Sequence, residues 1–257
     1  MIKSPLSGWM GGKFQLSKRI VSMIPKHECY CEPFSGAAWV FFRKPRSNVE
    51  VLNDINTDII TLYRVIQHHF EEFMRYFKWA LVSREEFNRQ LQTKPETLTD
   101  IQRAVRFFYL QKSAFSGRID KPTFGYAPSD TPRLNLLRIE EDLSMAHLRL
   151  SQVYIENLGY ADLIKRYDRD YAFFYIDPPY WNCEDYYGAG IFSKADFDTL
   201  AVQLGTIKGK FLLSLNDTPE VRSIFSDFII DPVSVTYSCG KKKSLAKEVL
   251  IRNYELV

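Results

Sequence analysis

The chain has 257 residues, 46% of them hydrophobic and 25% charged, a composition of compact folded proteins that excludes disordered, fibrous and low-complexity classes. Thirty-four Lys and Arg against 31 Asp and Glu leave a net charge of +3, which permits an anionic partner without requiring one. With no apolar leader and no uncharged run of the roughly 20 residues needed to cross a bilayer, a cytoplasmic protein without membrane association is expected; Cys29, Cys31, Cys183 and Cys239 form no Cys-x-x-Cys pair, so reduced thiols are expected rather than a disulfide framework or a metal site.

Phe14, Leu16, Ile20, Val21 and Ile24 recur at helical spacing until Pro25 stops them. A short strand over residues 28–31 follows, then Glu32-Pro33-Phe34-Ser35-Gly36-Ala37-Ala38 as a turn into a helix. Val49-Glu50-Val51-Leu52 reads as a strand ending on Asn53-Asp54, and Ile59, Ile60, Leu62, Val65 and Ile66 mark another helix, so the βαβα pattern predicts a parallel sheet. From about His68 to Leu150 strand signals stop; a Ser83-x-x-Glu86 capping box and the stripe Ile101, Ala104, Val105, Phe108 predict helices. Between Phe115 and Leu134 a stretch rich in Gly, Pro, Ser and Thr carries Arg118, Lys121, Phe124, Tyr126 and Arg133 and reads as a long loop or irregular hairpin.

Strand signals return at residues 153–156 and peak at Tyr171-Ala172-Phe173-Phe174-Tyr175-Ile176, a run apolar enough for a central strand buried on both faces. Ser193-x-x-Asp196 opens a helix and residues 211–215 form a strand. Residues 233–237 and 249–253 make an antiparallel hairpin around a basic loop with Lys241, Lys242, Lys243 and Lys247. There is no internal repeat, so the simplest architecture is one α/β domain, residues 1–67 and 151–257, split by a mostly helical insertion, residues 68–150, that selects the substrate.

Asp177-Pro178-Pro179-Tyr180 directly follows the most buried strand, at a carboxyl end where open α/β sheets place their ligand crevice. The tetrapeptide suits a flat exocyclic amine: a carboxylate and a backbone carbonyl accept its two N–H bonds while the tyrosine ring stacks on the heterocycle, and the ring rather than the hydroxyl is expected to carry the role of Tyr180. Two prolines stiffen the turn and remove competing donors. The turn from Glu32 to Gly36 sits where Rossmann-type sheets bring backbone close to a nucleotide, yet it lacks both Gly-x-Gly-x-x-Gly and a phosphate loop, which disfavours pyrophosphate and ATP. Asp54 ends its strand either as a carboxylate for ribose hydroxyls or as a helix cap. Trp9-Met10-Gly11-Gly12-Lys13 offers an aromatic face and a cation, or an ordinary loop. His27, His68, His69 and His147 are scattered and no nucleophile elbow is present, so hydrolase chemistry is not expected.

In this order the motifs resemble the Dam-like adenine-specific DNA methyltransferases, in the arrangement where the cofactor motif precedes the recognition insert and Asp-Pro-Pro-Tyr comes last. The likeness rests on Trp9 to Lys13, Glu32 to Gly36, Leu52-Asn53-Asp54-Ile55-Asn56-Thr57-Asp58, Phe115-Ser116-Gly117 and Tyr175 to Tyr180. It implies a class I methyltransferase fold, S-adenosyl-L-methionine as cofactor, double-stranded DNA as substrate, no metal and a monomer. Trp9, Lys13, Glu32, Phe34, Gly36 and Asp54 would line the cofactor pocket, and Asp177 would stand between cofactor and target base, with Pro178 and Tyr180. The chain departs from the family pattern twice: Gly36-Ala37-Ala38 stands where Gly-x-Gly is common, and Gly159-Tyr160 where Asp-Phe often meets the cofactor adenine.

Methylation of DNA in a restriction-modification or phage setting is the expected role. Arg118, Lys121, Arg133, Lys241, Lys242 and Lys243 are the expected DNA contacts. Arg118 and Arg133 are the two side chains between Phe115 and Leu134 suited to bidentate base readout, so recognition looser than that of a four-base palindrome reader is expected.

Overall fold

The computed structural model describes residues 2–9, 11–117, 121–126, 131–132, 134–184, 190–239 and 242–256, with backbone alone at 116, 237–239 and 242–244. The chain forms two compact units, one of residues 1–13, 36–43 and 56–155, the other of residues 14–35, 44–55 and 156–257.

Six strands of a seven-stranded sheet lie wholly in the second unit; the sheet comprises β1 (Cys29–Glu32), β2 (Val49–Asn53), β3 (Tyr154–Glu156), β4 (Ala172–Ile176), β5 (Lys210–Asn216), β6 (Ile229–Cys239) and β7 (Lys242–Arg252), in the order β3-β2-β1-β4-β5-β7-β6. Strands β2, β1, β4 and β5 pair in parallel, and β7 runs antiparallel to both β5 and β6. This is a class I methyltransferase sheet. Strand order reverses between β1 and β4, whose register pairs Cys31 with Phe174, and such a reversal opens a crevice at the carboxyl ends.

Every residue of β4 is buried, as its unbroken apolar run requires. Alternation divides it: Ala172, Phe174 and Ile176 join Cys29, Cys31, Leu213 and Val249 in one core, while Phe173 stacks on Tyr30 of β1. Each such large apolar side chain contributes about 1.5–3 kcal/mol by leaving water. Helices α1 (Ser17–Met23), α8 (Tyr160–Tyr167), α9 (Lys194–Leu204) and α10 (Pro219–Ile224) complete the unit. The first is shorter than its apolar spacing predicts, with Phe14 in the preceding turn and exposed. The β6–β7 hairpin corrects the sequence reading. Lys242, Lys243 and Lys247 lie within β7 rather than in a loop, because the ladder continues to the Cys239–Lys242 pair without needing apolar side chains there. Pro232 is tolerated in β6 because that strand is an edge.

The first unit is mostly helical: α2 (Trp39–Arg43), α3 (Thr57–His68), α4 (Phe70–Phe77), α5 (Arg84–Gln92), α6 (Asp100–Ser113) and α7 (Ile139–Leu150). Phe73, Phe77 and Phe108 form its aromatic centre, with ring centroids 5.1–5.5 Å apart. The Gln67 amide donates to the carbonyls of Leu150 and Val153, closing the end of α7 against α3. Only half of the expected Ser83 box forms. The Ser83 hydroxyl accepts from the Glu86 N–H, but the Glu86 carboxylate turns to Arg89 and Gln90, and the Ser83 N–H goes to the Tyr109 hydroxyl. A complete box is made instead by Thr99 and Gln102 at the start of α6. The segment after α6 is an irregular hairpin: a 3₁₀ turn at Phe115–Gly117, an antiparallel bridge from Ala114 to Phe124, and the Gly125 N–H donating to Ser113 O.

Gly117 has φ +66°, and a Cβ placed there would lie 2.2 Å from the carbonyl oxygen of Gly8. Gly117→Ala therefore combines left-handed strain with a backbone clash and should cost about 2–4 kcal/mol of stability. Gly190, with φ +78° and nothing within 4 Å of the added carbon, bears the strain alone, and Gly190→Ala should cost about 1 kcal/mol. Urea unfolding of both variants checks the difference.

Candidate active site

Three turns leave the carboxyl ends of neighbouring strands in the sheet unit, and two asparagines tie them together. Asn53, fully buried at the end of β2, donates to the carbonyls of Pro33 (2.9 Å) and Leu158 (3.0 Å) and accepts from the Leu158 N–H (2.8 Å). Its own carbonyl accepts from the Ser35 N–H at 2.8 Å. Asn157 donates to the carbonyls of Asp54 and Ile55. A primary amide offers donors and an acceptor together, which is what joining backbone turns of unlike polarity requires.

Glu32, the last residue of β1, is 1% exposed and accepts a 2.6 Å hydrogen bond from the Tyr30 hydroxyl. Burial first, and then the Glu32 charge, push the Tyr30 phenol well above its usual range, so it remains a donor. Phe34 stacks on Tyr160 with centroids 5.2 Å apart and meets the edge of Phe192. Between Glu32 and Gly36, the Ser35 hydroxyl oxygen is buried and has no hydrogen-bond partner among the described residues. The helix-cap reading of Asp54 does not hold: Asn56 caps α3, accepting from the Asp58 N–H. Gly159 is the N-cap of α8, and a Cβ there would find Asp162 Oδ2 as its nearest neighbour at 3.9 Å.

Across the strand reversal, Asp177 continues β4. Its Oδ1 accepts from the Ser214 hydroxyl of β5 at 2.9 Å, and Ser214 in turn lies 3.0 Å from the Tyr175 hydroxyl. Pro178 and Pro179 are buried, and Tyr180 is half-buried. The Tyr180 hydroxyl donates at 2.6 Å to Glu248 of β7, itself 1% exposed, so the hydroxyl has a structural partner that the sequence reading did not assign. Asn216 completes the turn by accepting from the Trp181 N–H and donating to its carbonyl. Tyr175 is buried, and its phenol is pushed far up, by burial first, then by the Asp177 charge and, more weakly, by Glu32 and Glu248.

In the helical unit, Trp9 is buried with its ring 6.2 Å from Phe107, and its Nε1 would be 3.6 Å from a Cβ on Gly36, which has φ +44°. The Gly36 carbonyl accepts from the Tyr63 hydroxyl. Lys13 is buried and donates to Gly11 O at 3.1 Å. Ala38 adopts φ +49°, a conformation natural to glycine, so this chain carries strain of about 1–2 kcal/mol where the Gly-x-Gly pattern would relieve it.

Of the expected DNA contacts, Lys121 is exposed, while Arg118, Arg133 and Lys241 lie outside the described residues, as do the side chains of Lys242 and Lys243. Beside Lys121 in sequence, Tyr126 is 69% exposed, and the Arg84 guanidinium lies over both Tyr126 (5.1 Å) and Phe124 (5.3 Å). Reading the sequence missed Arg84, Ser214 and Glu248. Their only signal is tertiary, since each lies far along the chain from the residues it touches.

Residues 9–239 match the family model of the D12 class N6 adenine-specific DNA methyltransferases. The type II methyltransferase M.CviBI of Paramecium bursaria Chlorella virus NC1A is 26% identical over 230 residues, covering 88% of this chain and 87% of its own. The DNA adenine methylase of Escherichia coli K12 is 31% identical over 67% of this chain, which spans 63% of that enzyme. The type II methyltransferase M1.LlaDCHI of Lactococcus lactis subsp. cremoris is 25% identical over 97% of this chain and 95% of its own. With a match from Trp9 to Cys239 that takes in both crevice turns and the helical segment, this chain belongs to the D12 class of N6 adenine-specific DNA methyltransferases, which use S-adenosyl-L-methionine.

Proposed function

We propose that this DNA adenine methyltransferase acts on an adenine extruded from double-stranded DNA, with Asp177, Pro178 and Tyr180 forming the subsite for the target base. The observation that carries the reading is the Asp-Pro-Pro-Tyr turn at the carboxyl end of β4, beside the strand reversal, with Asp177 bonded to Ser214 and Tyr180 to Glu248. The adenine amine is a poor nucleophile because its lone pair is delocalised into the ring. Hydrogen bonds from its two N–H groups to the Asp177 carboxylate and the Pro178 carbonyl would draw that pair out of conjugation and stabilise the positive charge nitrogen gains on accepting the methyl, the sulfonium S–C bond breaking to leave a neutral thioether and one N–H proton then being released to solvent. A base inside a duplex cannot reach such a turn, so it leaves the stack at a cost of a few kcal/mol, offset by stacking on Tyr180.

Bound S-adenosylmethionine supplies an electrophilic methyl on a sulfonium. Glu32, Phe34 and Asp54 would hold it, with Asp54 on the ribose hydroxyls. Three observations support the fit: the Ser35 hydroxyl in the Glu32–Gly36 turn, which has no hydrogen-bond partner among the described residues, the Phe34–Tyr160–Phe192 aromatic cluster for a flat base, and the buried Glu32 carboxylate suited to a cation. Asp162, beside the position of the Gly159 Cβ, supplies a carboxylate near where the family's aspartate would stand.

Residues 1–67 and 151–257 serve methyl transfer and residues 68–150 target recognition. Lys121, with Arg118, Arg133 and the Lys241–Lys243 run, contacts DNA, and the exposed Tyr126 ring held by Arg84 is suited to wedge into the base stack. The enzyme works as a monomer in the cytoplasm. With few base-reading side chains in the hairpin, affinity rests largely on phosphates and recognition is loose.

Asp177→Ala should abolish methyl transfer while cofactor affinity stays within roughly tenfold, because the loss falls on the transition state. Asp54→Ala should instead weaken cofactor binding by about 1.5–3 kcal/mol through lost charge-assisted bonds. Calorimetry and isotopic methyl transfer into DNA separate the two, and unchanged affinity in Asp54→Ala removes that residue from the pocket. Tyr180→Phe keeps the stacking ring but loses the bond to Glu248, so its single-turnover rate should fall about tenfold, and that of Tyr180→Ala at least about tenfold further. Long-read mapping of methylated adenines on unmethylated plasmid at limiting enzyme should show several related sites; modification confined to one motif of about four or more fixed bases contradicts loose recognition.

A further inference from the structure

Ser214 is fully buried on β5, where it follows the Ile176–Leu213 pair and so stands beside Asp177. Its hydroxyl has a single proton and two oxygen neighbours, Asp177 Oδ1 at 2.9 Å and the Tyr175 hydroxyl at 3.0 Å. An ionised carboxylate only accepts, so the Ser214 proton points to Asp177. Tyr175 then has to be the donor to Ser214, and a buried phenol among carboxylates keeps the proton this requires. The three groups form a chain with one direction, from Tyr175 through Ser214 to Asp177.

We propose that Ser214, oriented by Tyr175, is a positioning residue that fixes the rotation of the Asp177 carboxylate for the target amine. The inference rests on the reading of Asp177 given above. A carboxylate turns readily about its Cβ–Cγ bond, and two-fold rotation exchanges its oxygens. Committing Oδ1 to a buried hydroxyl on the next strand sets the plane in which the carboxylate meets the amine, and it does so before the base arrives. Tyr175 contributes at one remove: by donating to the Ser214 oxygen it leaves the serine proton to Asp177. The arrangement joins β4 to β5 by side chains at the point where their ladder ends, so the register of the sheet is carried into the orientation of a reacting group.

The test is single-turnover methyl transfer from labelled S-adenosylmethionine into unmethylated plasmid DNA, with cofactor affinity from calorimetry, for Ser214→Ala, Ser214→Thr, Tyr175→Phe and Asp177→Ala. Ser214→Ala should slow transfer by about 10- to 100-fold with cofactor affinity within about threefold, as a misplaced reacting group does. Ser214→Thr, which keeps the hydroxyl, should recover most of that rate, and Tyr175→Phe should lose about 3- to 10-fold by the same route. Should Ser214→Ala fail to fold, Tyr175→Phe carries the test alone, since it leaves Ser214 and the turn intact. Wild-type rates in Ser214→Ala or Tyr175→Phe, or a fall in cofactor affinity equal to the fall in rate, would overturn the positioning role. An active Asp177→Ala would overturn the reading beneath it, and an inactive Asp177→Ala beside an unimpaired Ser214→Ala would overturn the inference alone.

Discussion

A single buried amide, that of Asn53, governs the geometry of the crevice. The carboxyl ends of parallel strands leave turns whose N–H and C=O groups are buried without a ladder to satisfy them, and each such group left unpaired costs about 1–3 kcal/mol. Asn53 meets this demand for the turn after β1, through Pro33 and Ser35, and for the turn after β3, through Leu158. Asn157 ties the turn after β2 at the exposed surface, donating to the carbonyls of Asp54 and Ile55. The positions of Glu32, Phe34 and Asp54 therefore follow from hydrogen bonds made by residues that touch no reacting atom.

A second pattern runs through the same turns. Three buried or half-buried carboxylates, Glu32, Asp177 and Glu248, each accept a hydrogen bond from a hydroxyl: from Tyr30, from Ser214 with Tyr175 beside it, and from Tyr180. Burial among negative charges pushes the Tyr30 and Tyr175 phenols well up, so these two keep their protons as donors. Carboxylates held in this way at the strand ends suit a positively charged ligand better than an anionic one.

In the helical unit, packing and exposure divide along the same lines. Phe73, Phe77 and Phe108 are hidden, while the hairpin after α6 leaves Tyr126 outside with Arg84 laid over it. An exposed ring loses contact area to water unless a neighbour covers it, and a guanidinium does so while leaving a donor-rich edge for an anionic partner. Gly117 makes the hairpin possible, since no side chain fits against the Gly8 carbonyl.

Much of this was legible beforehand. Period-two and period-3.6 patterns marked the strands and helices because burial selects side chains by face, and Asp-Pro-Pro-Tyr after the most apolar strand located the crevice. Local chemistry misled where neighbours intervened. Glu86 found Arg89 and Gln90 instead of completing its cap, and the lysines after Cys239 proved to be strand because backbone pairing does not depend on their side chains. The sequence by itself determined where the strands and helices lie and which residues stand at the strand ends, since the burial pattern of each segment is written over its own few positions. Only the tertiary structure decided which residues hold those groups in place. Ser214 reaches Asp177 and Glu248 reaches Tyr180 across 37 and 68 positions, and a hydrogen bond between such distant residues leaves no periodicity to read.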